Sequence, residues 1–370
     1  MKLASVCTSR AGFGLIAFTT LLATLALADT SARASCVLAK PTPLTSYADG
    51  VSYGFATPVQ CTLDIGESVR FSVWIATTDR SRARGQGYAN WRVASGDPAG
   101  LSPGVVNAGA WPNINADWPR FTRDYTKSGV FTATRPGVYE VRAGIDFPYA
   151  TYVPYANKNL ITSRTYRIVV TNQTARNLVG KTFVASELGW TAPTAAEMNP
   201  DLMPEGVLVK FLSASEDGQT LTAAFALGTL AEAGWIALAC VAPVALGTVH
   251  LGVDGAFVSD PVALDAYAFG TWVGLEDFQI AGTADVAGTQ LANLAVSGRM
   301  DAASGSVVAG FDLCQFVASV PGEACVPCAA GACAEFLLGS PAAAFDAGAL
   351  LDPAYAPWDD ARCVGPELAR

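Results

Sequence analysis

The chain has 370 residues, of which 35 are glycine, 21 are proline and 15% are charged. This length suggests two domains, and the composition favours strands and turns over long helices. The formal net charge is −9, and the acidic second half of the chain argues against nucleic-acid binding by that half. A single histidine excludes histidine-rich metal sites.

The N-terminus has the features of a secretory signal peptide. Lys2 and Arg10 precede a charge-free run from Ala11 to Ala28, and small-residue A-x-A cleavage patterns follow it. Residues 1–34 are therefore predicted to be removed on export. The mature protein is expected to be extracellular, periplasmic or attached to the cell surface.

Cys36 leaves one form of membrane attachment open. Lipidation of this cysteine would anchor the mature chain, but Arg33 occupies a position where a lipobox has an aliphatic residue. Both alternatives, a soluble secreted chain and a lipid-anchored one, are compatible with export.

Residues 35–172 are predicted to form a β-sandwich. In "SVRFSVWIA" the residues Val69, Phe71, Val73 and Ile75 alternate with polar or half-polar positions, and "GVYEVRAGI" and "TYRIVV" repeat this pattern. Alternation with a period of two between turn residues is typical of strands, and several such strands indicate a sandwich.

Two stretches, Tyr88–Pro98 and Tyr125–Ile145, resemble the Ig-like and PKD-type domains of bacterial surface proteins. Trp91 matches the tryptophan of a central strand in those domains, and Pro136–Val141 matches their "PGxYxV" entry into a late strand. The resemblance covers about a third of the chain. It implies an Ig-like sandwich with a role in binding, spacing or display. The chain departs from antibody domains because no cysteine lies on the late strand.

Two aromatic segments, Trp111–Phe121 and Phe147–Asn159, are predicted to be loops of this sandwich. Aromatic rings that alternate with proline and asparagine suit stacking on sugar rings or contact with a partner protein. The alternative is that these rings pack over a thin core. The candidate binding residues are Trp111, Trp118, Tyr149, Tyr152 and Tyr155.

The segment "DRSRARG" supplies a second candidate site. It places Arg80, Arg82 and Arg84 on one side of an extended stretch, where they could hold anionic glycans or lipid phosphates. A solvated hairpin is the alternative interpretation.

Residues 173–370 are predicted to form an acidic, disulfide-stabilised antiparallel β-barrel or sandwich. This half carries 6 basic and 22 acidic residues, a net charge of −16, whereas residues 35–172 carry 14 basic and 9 acidic residues. Asp217-Gly218 between two apolar runs predicts a hairpin, and Phe278–Gly305 repeats the strand-turn-strand pattern.

The stretch from Gly234 to Gly252 contains no formal charge and is long enough to span a membrane. Pro243, the internal glycines and the absence of flanking basic residues argue instead for two buried strands that meet near the proline.

Eight cysteines remain after removal of the signal peptide, and an even number in an oxidising compartment predicts disulfides. The motif "CVPCAAGAC" has metal-binding and redox alternatives. A zinc site would require a fourth ligand, and a redox C-x-x-C favours a helix N-terminus, whereas turn residues flank this motif. The eight residues are Cys36, Cys61, Cys240, Cys314, Cys325, Cys328, Cys333 and Cys363.

The stretches Leu294–Ala302 and "ACVPCAAGACAEFLL", with Cys314 between them, resemble a group of uncharacterised secreted bacterial proteins that share this cysteine motif. The resemblance covers about residues 200–345 and implies no activity. Among the 15 connectivities open to six cysteines, the preferred one joins Cys328 to Cys333, Cys314 to Cys325 and Cys240 to Cys363. Cys36 and Cys61 are then expected to clip the N-terminal segment.

The sequence favours a non-enzymatic protein without cofactor or metal. His250, the only imidazole, lies in a predicted strand, which makes Ser-His and Cys-His catalysis improbable. A carboxylate-dependent hydrolase remains an alternative, because Glu216-Asp217, Glu276-Asp277 and Asp359-Asp360 are adjacent acidic pairs. The expected function is adhesion, display or ligand binding at the cell envelope, with a glycan or a protein as ligand; a glycan-binding module is the second alternative.

Overall fold

The structure is a computed structural model, and it is predominantly β. It describes residues 36–48, 50–77, 81–83, 88–110, 123–151, 156–197, 204–359 and 363. All of these belong to one compact unit, Ala34–Arg370. Within this unit, residues 51–170 and residues 175–343 build separate hydrophobic cores. The first core ends and the second begins close to Asn172, where the boundary was predicted.

The strands of the first half follow the predicted alternating segments and extend them. They are β1 (Thr45–Ala48), β2 (Val51–Phe55), β3 (Gln60–Asp64), β4 (Ser68–Thr77), β5 (Ser81–Ala83), β6 (Tyr88–Ser95), β7 (Leu101–Ser102), β8 (Val105–Ala110), β9 (Arg123–Ala133), β10 (Gly137–Thr151) and β11 (Ala156–Thr171). A short 3-10 helix, Pro98–Gly100, precedes β7.

These strands form two sheets that pack face to face as a sandwich. One sheet has the order β1-β2-β4-β9-β7, and the other has the order β3-β11-β10-β6-β8, with β5 paired to β10. In β4 the residues Val69, Phe71, Val73 and Ile75 are all buried, as their alternation predicts. Alternate residues of both sheets thus share one core, and the remaining positions face outwards.

Trp91 and Tyr139, the two residues that carry the resemblance to surface domains, are both buried. The Tyr139 hydroxyl donates to the carbonyl oxygens of Arg135 at 2.9 Å and Pro136 at 3.1 Å. Burial raises the pKa of this phenol, and the nearby Asp97 carboxylate adds to the effect. The ring therefore fixes the entry into β10 while its polar end stays hydrogen-bonded.

The second half contains the remaining strands and the helices. The strands are β12 (Thr182–Ala185), β13 (Gly189–Ala192), β14 (Gly206–Ala214), β15 (Thr220–Ala231), β16 (Gly234–Ala237), β17 (Val244–Ala245), β18 (Val249–Leu251), β19 (Ala256–Ser259), β20 (Val262–Ala268), β21 (Thr271–Ala284), β22 (Gln290–Asp301), β23 (Val326–Cys328) and β24 (Gly331–Phe345). The helices are α1 (Gln173–Leu178), α2 (Thr194–Glu197), α3 (Ala302–Ala309) and α4 (Leu313–Val317), and a 3-10 helix covers Pro357–Asp359.

The main sheet of this half is antiparallel and closes on itself. Its order is β12-β14-β15-β18-β19-β21-β22-β24, and β24 also pairs with β12 through Phe183 and Phe345. This closed sheet corresponds to the barrel alternative of the sequence analysis. Alternate residues of all eight strands enclose the second core.

A smaller apolar cluster covers part of the outside of the closed sheet. Val184 and Leu208 face outwards on β12 and β14, and Ala349 and Leu351 of the C-terminal segment pack over them. This second layer explains why β14 is buried on both faces for most of its length.

The apolar run from Gly234 to Gly252 is divided among three short strands, β16, β17 and β18. Within the described part of the chain, no helix combines the length and apolar character that crossing a membrane requires. The run is interrupted around Pro243 as predicted, but it forms three strands instead of two, and β16 is only half-buried.

Four disulfides link all eight described cysteines. They join Cys36 to Cys61, Cys240 to Cys363, Cys314 to Cys325 and Cys328 to Cys333. These are the pairs preferred in the sequence analysis. Four disulfides indicate an oxidising, extracellular-type environment.

Polar contacts connect the sandwich to the second half at the predicted boundary. Arg167 of β11 pairs with Glu216, with one guanidinium nitrogen 2.6 Å from a carboxylate oxygen. Arg176 of α1 pairs with Asp64 of β3 at 2.7 Å. Asn172 lies between these two arginines in the sequence, and its side chain caps the N-terminus of α1. The junction is thus held by ion pairs rather than by a flexible linker.

Two hairpin turns of the closed sheet are organised by aspartates. Asp217 accepts hydrogen bonds from Ser215 and Gln219, and Asp285 accepts them from Thr289 and the following backbone amide. Partial burial raises the pKa of both carboxyls, but these hydrogen bonds outweigh it and hold each pKa below its usual range.

These turns should contribute to stability only while the aspartates are charged. Because their folded-state pKa values lie below the unfolded value of about 4, the contribution is present above that pH and is lost as the pH falls through the folded pKa. We expect the double variant Asp217→Asn, Asp285→Asn to lose less stability than wild type between pH 5 and pH 2, as measured by urea unfolding at each pH. Equal acid sensitivity of the two proteins would contradict this role.

Candidate functional site

Most of the aromatic and arginine candidates lie outside the described residues. This applies to Trp111, Trp118, Tyr152, Tyr155, Arg80 and Arg84. The backbone of Arg82 lies in β5, opposite Ala150 of β10, and its side chain is not described. The proposed binding role of these residues stays a prediction.

Tyr149 is the exception, and its assignment to an exposed binding loop is wrong. The residue lies in β10, is only 1% exposed, and packs edge-on against Tyr47 with ring centroids 6.1 Å apart. β10 continues to Thr151 instead of ending before Phe147, so the segment predicted as a loop is mostly a long hairpin with β11. Tyr149 therefore contributes to the core.

An open depression of the sandwich lies on the outer face of the six-stranded sheet. It is an open groove of about 590 Å³ that crosses β8, β6, β10 and β11. Its lining mixes polar and apolar side chains, and Ile161, 70% exposed, lies at its β11 side. The outward-facing polar residues of the groove are Asn90, Arg92, Asn107, Arg142, Asp146 and Ser163.

Two arginines oppose each other directly in this groove. Arg92 of β6 and Arg142 of β10 are register partners, and both are exposed. Like charges at directly opposed positions destabilise a sheet. Arg142 Nε donates to Ser163 Oγ at 3.1 Å, but no described carboxylate forms an ion pair with either guanidinium. The pair therefore concentrates uncompensated positive charge.

A row of small and amide residues forms the floor beside the arginines. Gly144 of β10 lies between Asn90 and Ser163 on its two neighbouring strands, and Asn90 also pairs with Asn107. A Cβ at Gly144 would come within 2.6 Å of the Asn90 side-chain oxygen. The glycine thus lets the amide lie across the floor, where amides and hydroxyls can both donate and accept hydrogen bonds.

This arrangement suits recognition of an anionic, hydroxylated ligand. The guanidinium groups offer paired donors that match carboxylate or sulfate oxygens, and the amides offer contacts to hydroxyl groups. Among the described residues that line the groove, Asp146 is the one carboxylate.

The acidic pairs named in the sequence analysis have structural contacts where they are described. Glu216 pairs with Arg167, and Glu276 and Asp277 both pair with Arg299. Asp359 lies in the 3-10 helix, and Asp360 is outside the described residues. His250 in β18 is exposed and contacts Asp260, with 3.0 Å between the ring nitrogen and the carboxylate oxygen.

One cluster of residues with metal-binding atoms has a structural explanation. Glu276 lies close to Cys328 and Cys333. The two cysteines form a disulfide, and Glu276 accepts a 2.8 Å hydrogen bond from the amide of Ala329 in the turn between β23 and β24. The cluster thus stabilises this hairpin, and its sulfur atoms are not available as thiolate ligands.

Sequence reasoning did not identify Arg92, Arg142 or the floor of the groove. The available signal was the alternation of "YANWRV", which places Asn90 and Arg92 on the face opposite Trp91. The register that brings Arg142 opposite Arg92 depends on long-range pairing, which alternation alone does not specify.

The chain matches no protein-family model, and no curated protein matches it. The groove and its charge are therefore the basis for a functional assignment.

Proposed function

We propose that the protein is an exported, non-enzymatic binding protein of the cell envelope, and that its sandwich binds an acidic glycan in the groove on the six-stranded sheet. The observation that carries this proposal is the direct opposition of Arg92 and Arg142 without a carboxylate partner among the described residues. A bound carboxylate or sulfate would relieve their repulsion and satisfy both guanidinium groups.

The shape of the groove favours an extended ligand over a small molecule. It crosses four neighbouring strands, a width of about 14 Å at the usual strand spacing. It is open rather than enclosed, whereas sites for small molecules are generally deep and mostly apolar. An acidic polysaccharide supplies repeated negative charges and hydroxyl groups over such a distance, and this composition supports adhesion or display as the cellular role.

Replacement of both arginines should abolish this interaction. Because a hydrogen bond to a charged group contributes about 1.5–3 kcal/mol, we expect Arg92→Ala or Arg142→Ala to weaken binding of polygalacturonate by about 10- to 100-fold each. Isothermal titration calorimetry at 150 mM salt measures this loss. Neutral dextran should bind neither the wild type nor the variants.

Arg70→Ala is the matched control, because Arg70 is an exposed arginine of β4 on the outer face of the other sheet. It should leave polygalacturonate binding unchanged. Arg142→Ala should leave the free energy of unfolding unchanged or raise it by up to about 0.5 kcal/mol, since it removes a like-charge contact. Equal loss of binding in the Arg70 variant would show that net charge alone, rather than the groove, attracts the polymer.

A further inference from the structure

Two large aromatic side chains are exposed together on the second half, and a third exposed aromatic residue lies in the turn between β20 and β21 that precedes one of them. Phe269 is 41% exposed, Trp272 is 51% exposed and Trp358 is 42% exposed. The two indole rings have centroids 5.1 Å apart, and both contact the buried ring of Tyr267. We call Phe269, Trp272 and Trp358 the aromatic platform.

Phenylalanine at position 269 is an unusual residue for the turn in which it lies. Ala268 and Thr271 are paired at the ends of β20 and β21, so Phe269 and Gly270 form a two-residue turn with φ values of 48° and 88°. Turns with two positive φ values favour asparagine or aspartate followed by glycine. A bulky aromatic residue in the left-handed region is strained, and it also exposes apolar surface. The phenylalanine therefore weakens the hairpin it terminates.

The aromatic platform is rigidly supported from beneath. The Phe269 amide donates to the Cys240 carbonyl oxygen at 2.9 Å, and the Tyr267 hydroxyl donates to the Cys363 carbonyl oxygen at 3.2 Å. A disulfide joins these two cysteines. A surface held in place before binding loses little conformational entropy when a partner docks.

The charge around the aromatic platform favours a cationic partner. Asp265 precedes Tyr267 by two residues on the outward face of β20 and lies opposite Gly274, whereas Asp301, on the other side of that glycine, uses its carboxylate to cap α3. The whole second half carries a net charge of −16. Such a field attracts positive groups over long distances, and the faces of tryptophan rings bind guanidinium groups well.

We propose that the aromatic platform is a docking site for an arginine-bearing segment of a partner protein. Arginine side chains stack on the indole faces, and the exposed Asp265 carboxylate accepts their hydrogen bonds. This site is separate from the groove of the sandwich, and it does not depend on the glycan-binding proposal.

The test uses the full mature chain with its disulfides intact and a hexa-arginine peptide as the probe. We expect Trp272→Ala and Phe269→Asn each to weaken binding of this peptide by about fivefold or more at 150 mM salt. Tyr88→Ala, which removes an exposed aromatic ring of the sandwich, is the control and should leave binding unchanged. Phe269→Asn places a favoured residue in the turn, so its melting temperature should be equal to or above that of wild type.

A hexa-citrulline peptide, which is nearly isosteric but uncharged, should bind at least tenfold more weakly than hexa-arginine if charge on the guanidinium is recognised. Equal binding of the two peptides would overturn the proposal. So would unchanged hexa-arginine binding by both platform variants, or tighter platform-dependent binding of a glucosamine oligomer, which would assign the site to a cationic glycan.

Discussion

Replacing Cys240 and Cys363 together by alanine should lower the free energy of unfolding by about 4–5 kcal/mol. The two residues are separated by 123 positions, so their disulfide closes a long loop and removes much conformational entropy from the unfolded chain. Both cysteines are buried, and the loss of their packing adds to the effect. Urea unfolding under non-reducing conditions measures the change.

Removal of the disulfide between Cys328 and Cys333 is the matched comparison. These cysteines are separated by only 5 positions, and the same entropy relation gives about 2 kcal/mol for so short a loop. If removal of the short disulfide lowers the free energy of unfolding more than removal of the long one, native packing rather than loop entropy determines the stabilisation. Loss of the long disulfide should also weaken hexa-arginine binding, because Cys240 and Cys363 support the aromatic platform.

Trp91→Ala should destabilise the sandwich by about 3–5 kcal/mol. The indole is fully buried at the centre of the sandwich core, and the face of its ring packs directly against Gly129 of β9. Alanine would leave a cavity that the surrounding strands cannot fill, since both sheets are held by their hydrogen-bond ladders. The unfolding transition of the sandwich, followed by near-ultraviolet circular dichroism, gives the change.

Trp74→Ala is the control for this prediction. Trp74 lies on β4 and is only partly buried at the margin of the same core. Its replacement by alanine should therefore lower the free energy of unfolding by about 1 kcal/mol, less than half the effect expected for Trp91→Ala. Equal losses would show that the buried position of Trp91 is not what makes it important.

The strands and the core of the sandwich could be predicted because they depend on local alternation. Val69, Phe71, Val73 and Ile75 occupy every second position of β4 and all four are buried, so the pattern alone identified the inward face. The Asp217-Gly218 hairpin was equally predictable from its turn residues. In both cases neighbouring residues determine the outcome.

The error at Tyr149 came from the proline next to it. Pro148 lacks an N–H, and such a residue usually excludes a central strand. In β10 it falls between two partners, because β6 pairs only as far as Asp146 and β5 pairs from Tyr149 onwards. Among the described residues, Pro148 therefore pairs only with Asn159 of β11, and the strand continues past it.

The groove and the aromatic platform could not be predicted because both depend on distant pairing. Arg92 meets Arg142 only through the register of β6 with β10. Trp272 meets Trp358 only after the C-terminal segment folds back over β20 and β21, where Cys363 is bonded to Cys240. Local patterns identify which face a residue occupies, but they do not identify its neighbours across strands.

Closure of the sheet in the second half also bears on when this protein can fold. β12 stands near the start of that half and β24 near its end, yet Phe183 and Phe345 must pair to complete the ring. Contacts between residues so far apart in sequence give the domain a high contact order, which predicts slow folding. The domain therefore cannot be completed until almost the whole chain has emerged.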